Sequence, residues 1–480
     1  MNKNMIELAG MSVLSPEKIR LISNASFSIL EEIGVKVQDQ DALEMLHGIG
    51  AYVENDGLVK IPCYLIEKAL RSAPKRITLY DRNGTASMVL EGKNVYFGCS
   101  ADCLRYLDPF TGKALPFTSE HSAIMARIGD YCSNISFINP VGVLTDYDPR
   151  MCSQVSFARV LSNTTKTINF ISNEARATVD IIELATAIAG SKEELKRKPF
   201  IFHYCEPIPP LTHGDDSCQK LMLCAEAGIP VVYNPYCMMG GTAPVTLAGA
   251  LAQSYAEILS GLVIHQAKKE GAPFIIGNMP ATMDLRTTIG TYGAPEFYLA
   301  LAGSSEIAHS FGLPFYGTAG TTDAQVLDYQ AVAESTMNSF VNMLSWCHVV
   351  HDVGIMYHCS ILSPELVVLT NEILDMLKVI RQGIRVDDEM LALDVIKQVG
   401  PGGHYLKHHH TLRHFREIWY SDIYDHSMNQ DTPLPVNEKI IQKTKEIIEK
   451  HEAEPLSSEK VKIIKEFENK WIKVYTENNS

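Results

Sequence analysis

The chain has 480 residues, 46% of them hydrophobic and 20% charged, and carries a formal net charge of -14. That acidity disfavours sequence-independent nucleic-acid binding, which depends on Lys and Arg contacts to phosphate, and gives no sign of a basic membrane surface. The composition is that of a soluble globular protein with ample material for a core. The 11 cysteines are scattered, odd in number and without a CxxC, so reduced thiols are expected in place of a disulfide framework. MNKNMIELAG has no apolar stretch of signal-peptide length, and no run approaches the roughly 18 apolar residues that span a bilayer. A cytoplasmic protein is expected.

In chain order, LSPEKIRLISNASFSILEEIGVKV comes first. Ser15 can cap, Pro16 and Glu17 suit a first turn, and Ile19, Ile22, Leu30 and Ile33 recur at helical spacing, which predicts a helix to about Gly34. KRITLYDRNG and ASMVLEG read as a hairpin, so residues 1–94 form a small mixed cap. From residue 95 short apolar runs alternate with long helical stretches. The runs are VYFGC (95–99), ISFINPVGVL (135–144), TINFIS (167–172), FIFHYC (200–205), PVVYNP (230–235), PFIIGN (273–278), LPFYGT (313–318) and WCHVVHD (346–352). Each precedes a helical pattern, which predicts a (β/α)8 TIM barrel over residues 95–385. The alternative, an open doubly wound sheet, loses weight because neither GxGxxG after the first strand nor a Walker A motif occurs. Residues 386–480 read as a C-terminal helical extension ending in two amphipathic helices.

In such a barrel the active site lies at the C-terminal strand ends. These ends carry small residues (GCSAD, MMGGTAP, YGTAGTTDA), the aromatics Tyr96, Phe97, Tyr204, Tyr236, Tyr292, Phe315, Tyr316 and Tyr357, and the acids Asp102, Glu206 and Asp323. Together they suggest an aromatic-lined, mildly anionic pocket suited to a cation, each ring contributing about 0.5–2 kcal/mol.

LEEIGVKV (30–37), FGCSAD (97–102), CEPIPPL (205–211), GGTAPVTLAGALAQ (240–253), GTTDAQVLDYQAVAES (320–335) and IRVDDEMLALDVIKQVGPGGHYLKHHHTLRHF (384–415) resemble the trimethylamine methyltransferase superfamily, in its members lacking pyrrolysine. The resemblance implies a TIM-barrel methyltransferase that moves a methyl group from an amine to cob(I)alamin. The cofactor, cob(I)alamin or methylcobalamin, is supplied by a partner corrinoid protein and is not held tightly by this chain. All 480 residues are standard, so pyrrolysine chemistry is absent. Relatives lacking pyrrolysine point to quaternary amines: glycine betaine, proline betaine, carnitine and γ-butyrobetaine. Family habit also implies a homo-oligomer.

The physical logic agrees. A quaternary nitrogen already carries its charge, so attack on an N-methyl group releases a neutral amine without protonation or metal activation. Catalysis reduces to alignment and desolvation. Tyr96, Phe97, Tyr204, Tyr236 and Phe315 are the expected cage, and Glu206 the charged neighbour. Asp102, Asn234 and Asn278 are expected to orient the substrate. Alternation puts His348 and Asp352 on one strand face and His351 on the other. If Val350 points inward, so does His348, which could then bind a betaine carboxylate. Two rivals remain: a zinc-dependent corrinoid methyltransferase, for which His203/Cys205, Cys99/Cys103 and His348/His351 are the available spacings, and a non-catalytic quaternary-ammonium binding protein. No metal ligands are assigned. The five histidines of GGHYLKHHHTLRHFREIWY (402–420) do not converge on one helix face at about 100° per residue.

Overall fold

The computed structural model describes residues 8–140, 142–426 and 434–477, without the side chains of residues 476 and 477. Eight parallel strands close a barrel: β1 (Tyr96–Cys99), β2 (Ile135–Ile138), β3 (Thr167–Ile171), β4 (Ile201–Cys205), β5 (Val231–Tyr233), β6 (Phe274–Gly277), β7 (Phe315–Thr318) and β8 (Val349–Val353). They neighbour one another in chain order, and β8 closes on β1 with Val349 opposite Tyr96. Each falls within or beside one of the eight predicted runs. The run 135–144 stops being strand at Ile138, and its Val141 lies outside the described residues.

A helix follows each strand: α1 (Ser119–Tyr131), α2 (Cys152–Asn163), α3 (Ala175–Ala189), α4 (Asp215–Ala227), α5 (Leu247–Lys268), α6 (Pro295–Ser310), α7 (Tyr329–Leu344) and α8 (Pro364–Gln382). Helix α5 is long and apolar enough to cross a membrane by length and composition, contrary to the reading that no run approaches that limit, but 78% of its apolar window is buried. It packs between the barrel and the N-terminal helices Pro16–Ser28 and Cys63–Ser72. Being covered on both sides explains why it is apolar all round.

The first helix starts as expected, with Ser15 Oγ accepting from the Lys18 amide, and ends at Gly34 with φ 88°. The predicted hairpin forms between Ile77–Tyr80 and Ala86–Leu90. Its role was not foreseen. Ile77, Leu79, Met88 and Leu90 form one cluster with Phe137, Phe202, Val232, Ile275, Tyr316 and Val349. These six are the inward side chains of the barrel, so the hairpin plugs its N-terminal end. The close fit shows at Gly98, where a Cβ would stand 2.2 Å from the Phe137 ring.

The residues alternating with that set, including Phe97, Phe170, Ile201, Tyr233, Ile276, Phe315 and Val350, belong to the larger cluster shared with the surrounding helices. After α8 the chain changes character: no residue from Arg381 to Asp422 is buried. The expected long histidine-bearing helix is a short one, His409–His414, followed by a 3-10 turn. The terminal helices Val436–Lys450 and Ser458–Glu477 return to the barrel, burying Ile440, Ile447, Ile464 and Trp471.

Candidate active site

With its N-terminal end plugged, the barrel is open only at the C-terminal ends of the strands. Two small sheets extend the wall there: Tyr236–Met239 with Met279–Asp284 and Ile289–Thr291, and Arg105–Leu107 with Ala114–Pro116, Ile355–Met356 and Ile361–Leu362. Between them lies a cavity of about 450 Å³, the size of a small-molecule site. Asp102, Tyr204, Glu206, Tyr236, Tyr292, His351, Asp352 and Cys359 supply its functional groups, and Ile171, Pro207, Ile208, Pro209 and Met279 its apolar wall.

Tyr204, near the end of β4, is fixed from two sides. The Asn234 amide Nδ2 donates to its hydroxyl at 2.8 Å, and the hydroxyl donates to Glu206 Oε2 at 3.2 Å. Asn234 is fully buried, and the absence of a side chain at Gly277 makes room for it. Tyr236 stacks on Tyr292, ring centroids 6.4 Å apart. Tyr292 is anchored through its own amide, which donates to Asp323 Oδ1 at 2.9 Å. Asp323 also lies 3.1 Å from His358 Nδ1. Tyr316 lies beneath, 5.9 Å from Tyr204 and 4.3 Å from the His351 ring.

The floor is set by an irregularity in β8. Its register against β1 shifts between Val350 and Val353, and Asp352 has φ 77°. The bulge brings Asp352 to the same cavity as His351, where plain alternation would separate them. His351 Nδ1 lies 2.8 Å from the Gly317 carbonyl, and Nε2 lies 3.1 Å from Asp352 Oδ1.

Burial dominates the electrostatics. Asp352 is 2% exposed, and burial raises its carboxyl well above the usual range. Burial likewise lowers His351 to about 3. Asp102 is pushed up to about 6, first by burial and then by the neighbouring Glu206 charge, and Glu206 is raised by burial. By surface area Asp102 and Glu206 are exposed. As walls of a deep open cleft, they touch water while protein surrounds them, which reconciles exposure with the raised values.

The expected site residues divide accordingly. Asp102, Tyr204, Glu206 and Tyr236 line the cavity. Asn234 stands one shell behind, holding Tyr204. Five are elsewhere. Tyr96 begins β1, so it sits at the plugged end, its hydroxyl accepting from the Val89 amide. Phe97 and Phe315 face the helices. Asn278 also turns outward, its amide donating to Ser254 and Ser304 hydroxyls on α5 and α6. His348 lies at the start of β8, accepting from the Phe315 amide and facing His309 of α6 with rings 4.7 Å apart. Val350 points to the helices, so the inward residue is His351. Of the metal spacings, His203 meets Ser172 and Thr178 while Cys205 meets the Ser217 carbonyl, and His348 faces α6 while His351 faces the cavity. Ile171, Met279 and Cys359 were not among the expected site residues. Cys359 reaches the cavity through three successive left-handed residues, Tyr357 to Cys359.

Comparison with known proteins adds three findings. The family model for trimethylamine methyltransferase (MTTB) matches residues 2–472. Trimethylamine methyltransferase MttB of Desulfitobacterium hafniense is 30% identical over 475 residues, covering 94% of this chain and 96% of that protein, and a glycine betaine methyltransferase from another strain of that species is 30% identical, covering 87% of each. Among solved structures, the monomethylamine methyltransferase MtmB of Methanosarcina barkeri superposes with a TM-score of 0.52 at 11% identity, covering 92% of this chain and 88% of that one, a likeness of fold.

Proposed function

The chain belongs to the trimethylamine methyltransferase family, and from that premise we propose that it moves an N-methyl group from a quaternary amine to cob(I)alamin on a separate corrinoid protein. The observation carrying this reading is the cavity, with Tyr204, Tyr236 and Tyr292 beside the carboxylates of Asp102 and Glu206. A quaternary nitrogen has no N–H, so hydrogen-bond acceptors cannot hold it. Ring faces and nearby negative charge can. The betaine named in one relative's activity falls within this donor class.

The corrinoid supplies a Co(I) nucleophile that takes the methyl group while the C–N electron pair stays on nitrogen. The cavity, sized for a small amine, opens at the C-terminal mouth of the barrel, where a corrinoid protein would have to dock. The chain's part is placement. Asn234 and Glu206 fix the Tyr204 ring, and Asp323 fixes the Tyr292 backbone under Tyr236, so the rings are set before the amine enters. The walls Ile171, Pro207, Ile208, Pro209 and Met279 exclude water from the methyl group. The substrate's positive charge vanishes as the methyl leaves, so binding should not rest on a tight ion pair that stabilises the ground state. Diffuse ring contacts and carboxylates in a solvated cleft meet that need. The product amine leaves neutral, so no general acid is required.

The test is the purified chain incubated with chemically reduced cobalamin or a corrinoid protein and a panel of quaternary amines. Loss of Co(I) absorbance with one equivalent of tertiary amine is expected for at least one donor. Transfer only from tertiary or secondary methylamines would overturn the reading.

A further inference from the structure

Resting on the ammonium site just proposed, we infer that the donor carries no carboxylate: it is a quaternary ammonium alcohol or alkylammonium, and this cavity discriminates against betaines. A betaine needs an anion-binding group within a few ångströms of its ammonium site. Among the described residues no Lys or Arg lines the cavity, and burial holds the His351 imidazole neutral. The cation that stands nearby, Lys220, is turned to the adjoining cleft, where its ammonium donates to the Ser172 carbonyl at 2.7 Å and pairs with Asp216.

Backbone amides could replace a side-chain cation, yet along the proline-rich lip and the adjoining wall several are absent or engaged. The lip runs Glu206-Pro207-Ile208-Pro209-Pro210, in which three residues have no N–H. The Ile208 amide donates to Thr212 O at 2.8 Å. The amides of Tyr292 and Gly293 are spent on Asp323, that of Met279 on Pro235 O and that of Cys103 on Ala101 O. The Tyr204 hydroxyl donates to Glu206. A substrate carboxylate would therefore meet Asp102 and Glu206 with little to bind it, whereas a hydroxyl could donate to either one.

Calorimetric binding of matched pairs to the full chain tests this: choline against glycine betaine, and butyltrimethylammonium against γ-butyrobetaine. The carboxylate-free member of each pair is expected to bind at least about tenfold more tightly at pH 7.5. Asp102→Asn with Glu206→Gln should narrow the gap, and the wild-type comparison stands even if that variant folds poorly. Equal or tighter betaine binding would overturn this inference and leave the proposed methyl transfer standing. Failure of every quaternary ion to bind would overturn both.

Discussion

Asp352 Oδ1 and His351 Nε2 lie 3.1 Å apart in the cavity floor, while His351 Nδ1 faces the Gly317 carbonyl at 2.8 Å. That carbonyl can only accept, so the ring proton of the neutral imidazole belongs on Nδ1. Nε2 is then a bare acceptor. An ionised Asp352 would oppose it acceptor to acceptor at 3.1 Å, so the consistent state is a neutral carboxyl beside a neutral imidazole. Burial drives both groups that way, raising the acid and lowering the base. The floor is polar but uncharged, leaving Asp102 and Glu206 as the cavity's negative charges.

Asp352→Asn should therefore be mild. Asn is uncharged like the neutral acid and close to it in shape, and it tolerates a positive φ better than other non-glycine residues. Asp352→Ala puts a residue that tolerates the left-handed region poorly at φ 77°, which should cost about 1–2 kcal/mol. Thermal denaturation and amine affinity compare the two. If Asn proves as damaging as Ala, the neutral-pair assignment is wrong.

Asp102 sets a pH dependence. With its carboxyl near 6, cation affinity should hold from pH 7 to 8 and fall as pH drops through 6, because protonation removes the charge. Ligand-free stability should run the other way. Between the unfolded value near 4 and the folded value, the native state binds more protons, so this group favours folding increasingly as pH falls. Asp102→Asn should raise Tm at pH 8 and flatten the affinity profile. Calorimetry and titration across pH 5–8 check both signs.

Loss of the ring in Tyr204→Ala should weaken amine binding by about 2- to 30-fold, the range of one cation–π contact. Tyr204→Phe keeps the ring and should do less. Asn234→Leu removes the 2.8 Å bond that orients the phenol and should raise KM more than it lowers Tm.

Glu257 on α5 is fully buried and accepts from the Leu211 amide at 2.9 Å and from Gln253 at 3.0 Å. It thereby ties the Glu206–Leu211 lip to the barrel. Glu257→Ala leaves the Leu211 N–H unpaired and should cost about 1–3 kcal/mol while raising KM. Glu257→Gln retains an acceptor oxygen and should recover most of both.

The plug at the other end tests the fold alone. Leu79→Ala empties a fully buried site beneath the barrel interior and should cost about 2–5 kcal/mol. Amine affinity measured well below the lowered Tm should stay within about twofold.

The eight strands were legible because each is a short apolar run flanked by turn residues and followed by a helix-length pattern. Their inward faces were not. A barrel strand is buried on both sides and carries no polar alternation, so Phe315 and Tyr316, adjacent aromatics, could not be told apart by sequence. Tyr96 and Phe97 show a second cause: aromatics at the start of a strand lie far from a site at strand ends. His348 was expected inside on a parity argument that fails in two ways. Val350 faces the helices, and the bulge at Asp352 breaks alternation where it matters. Asp102, Tyr204, Glu206 and Tyr236 were legible because each lies at or just past a strand's C-terminal end, where position alone points to the mouth.

The most direct test of the central claim follows the methyl group itself. A quaternary ammonium labelled with 13C on its N-methyl groups is incubated with the chain and reduced corrinoid, and the label is tracked by NMR. The label is expected to move from nitrogen to cobalt, with one equivalent of tertiary amine, and transfer to slow when Tyr204 is replaced by alanine. Label that stays on nitrogen with every quaternary donor, while a tertiary methylamine transfers its methyl, would contradict that claim.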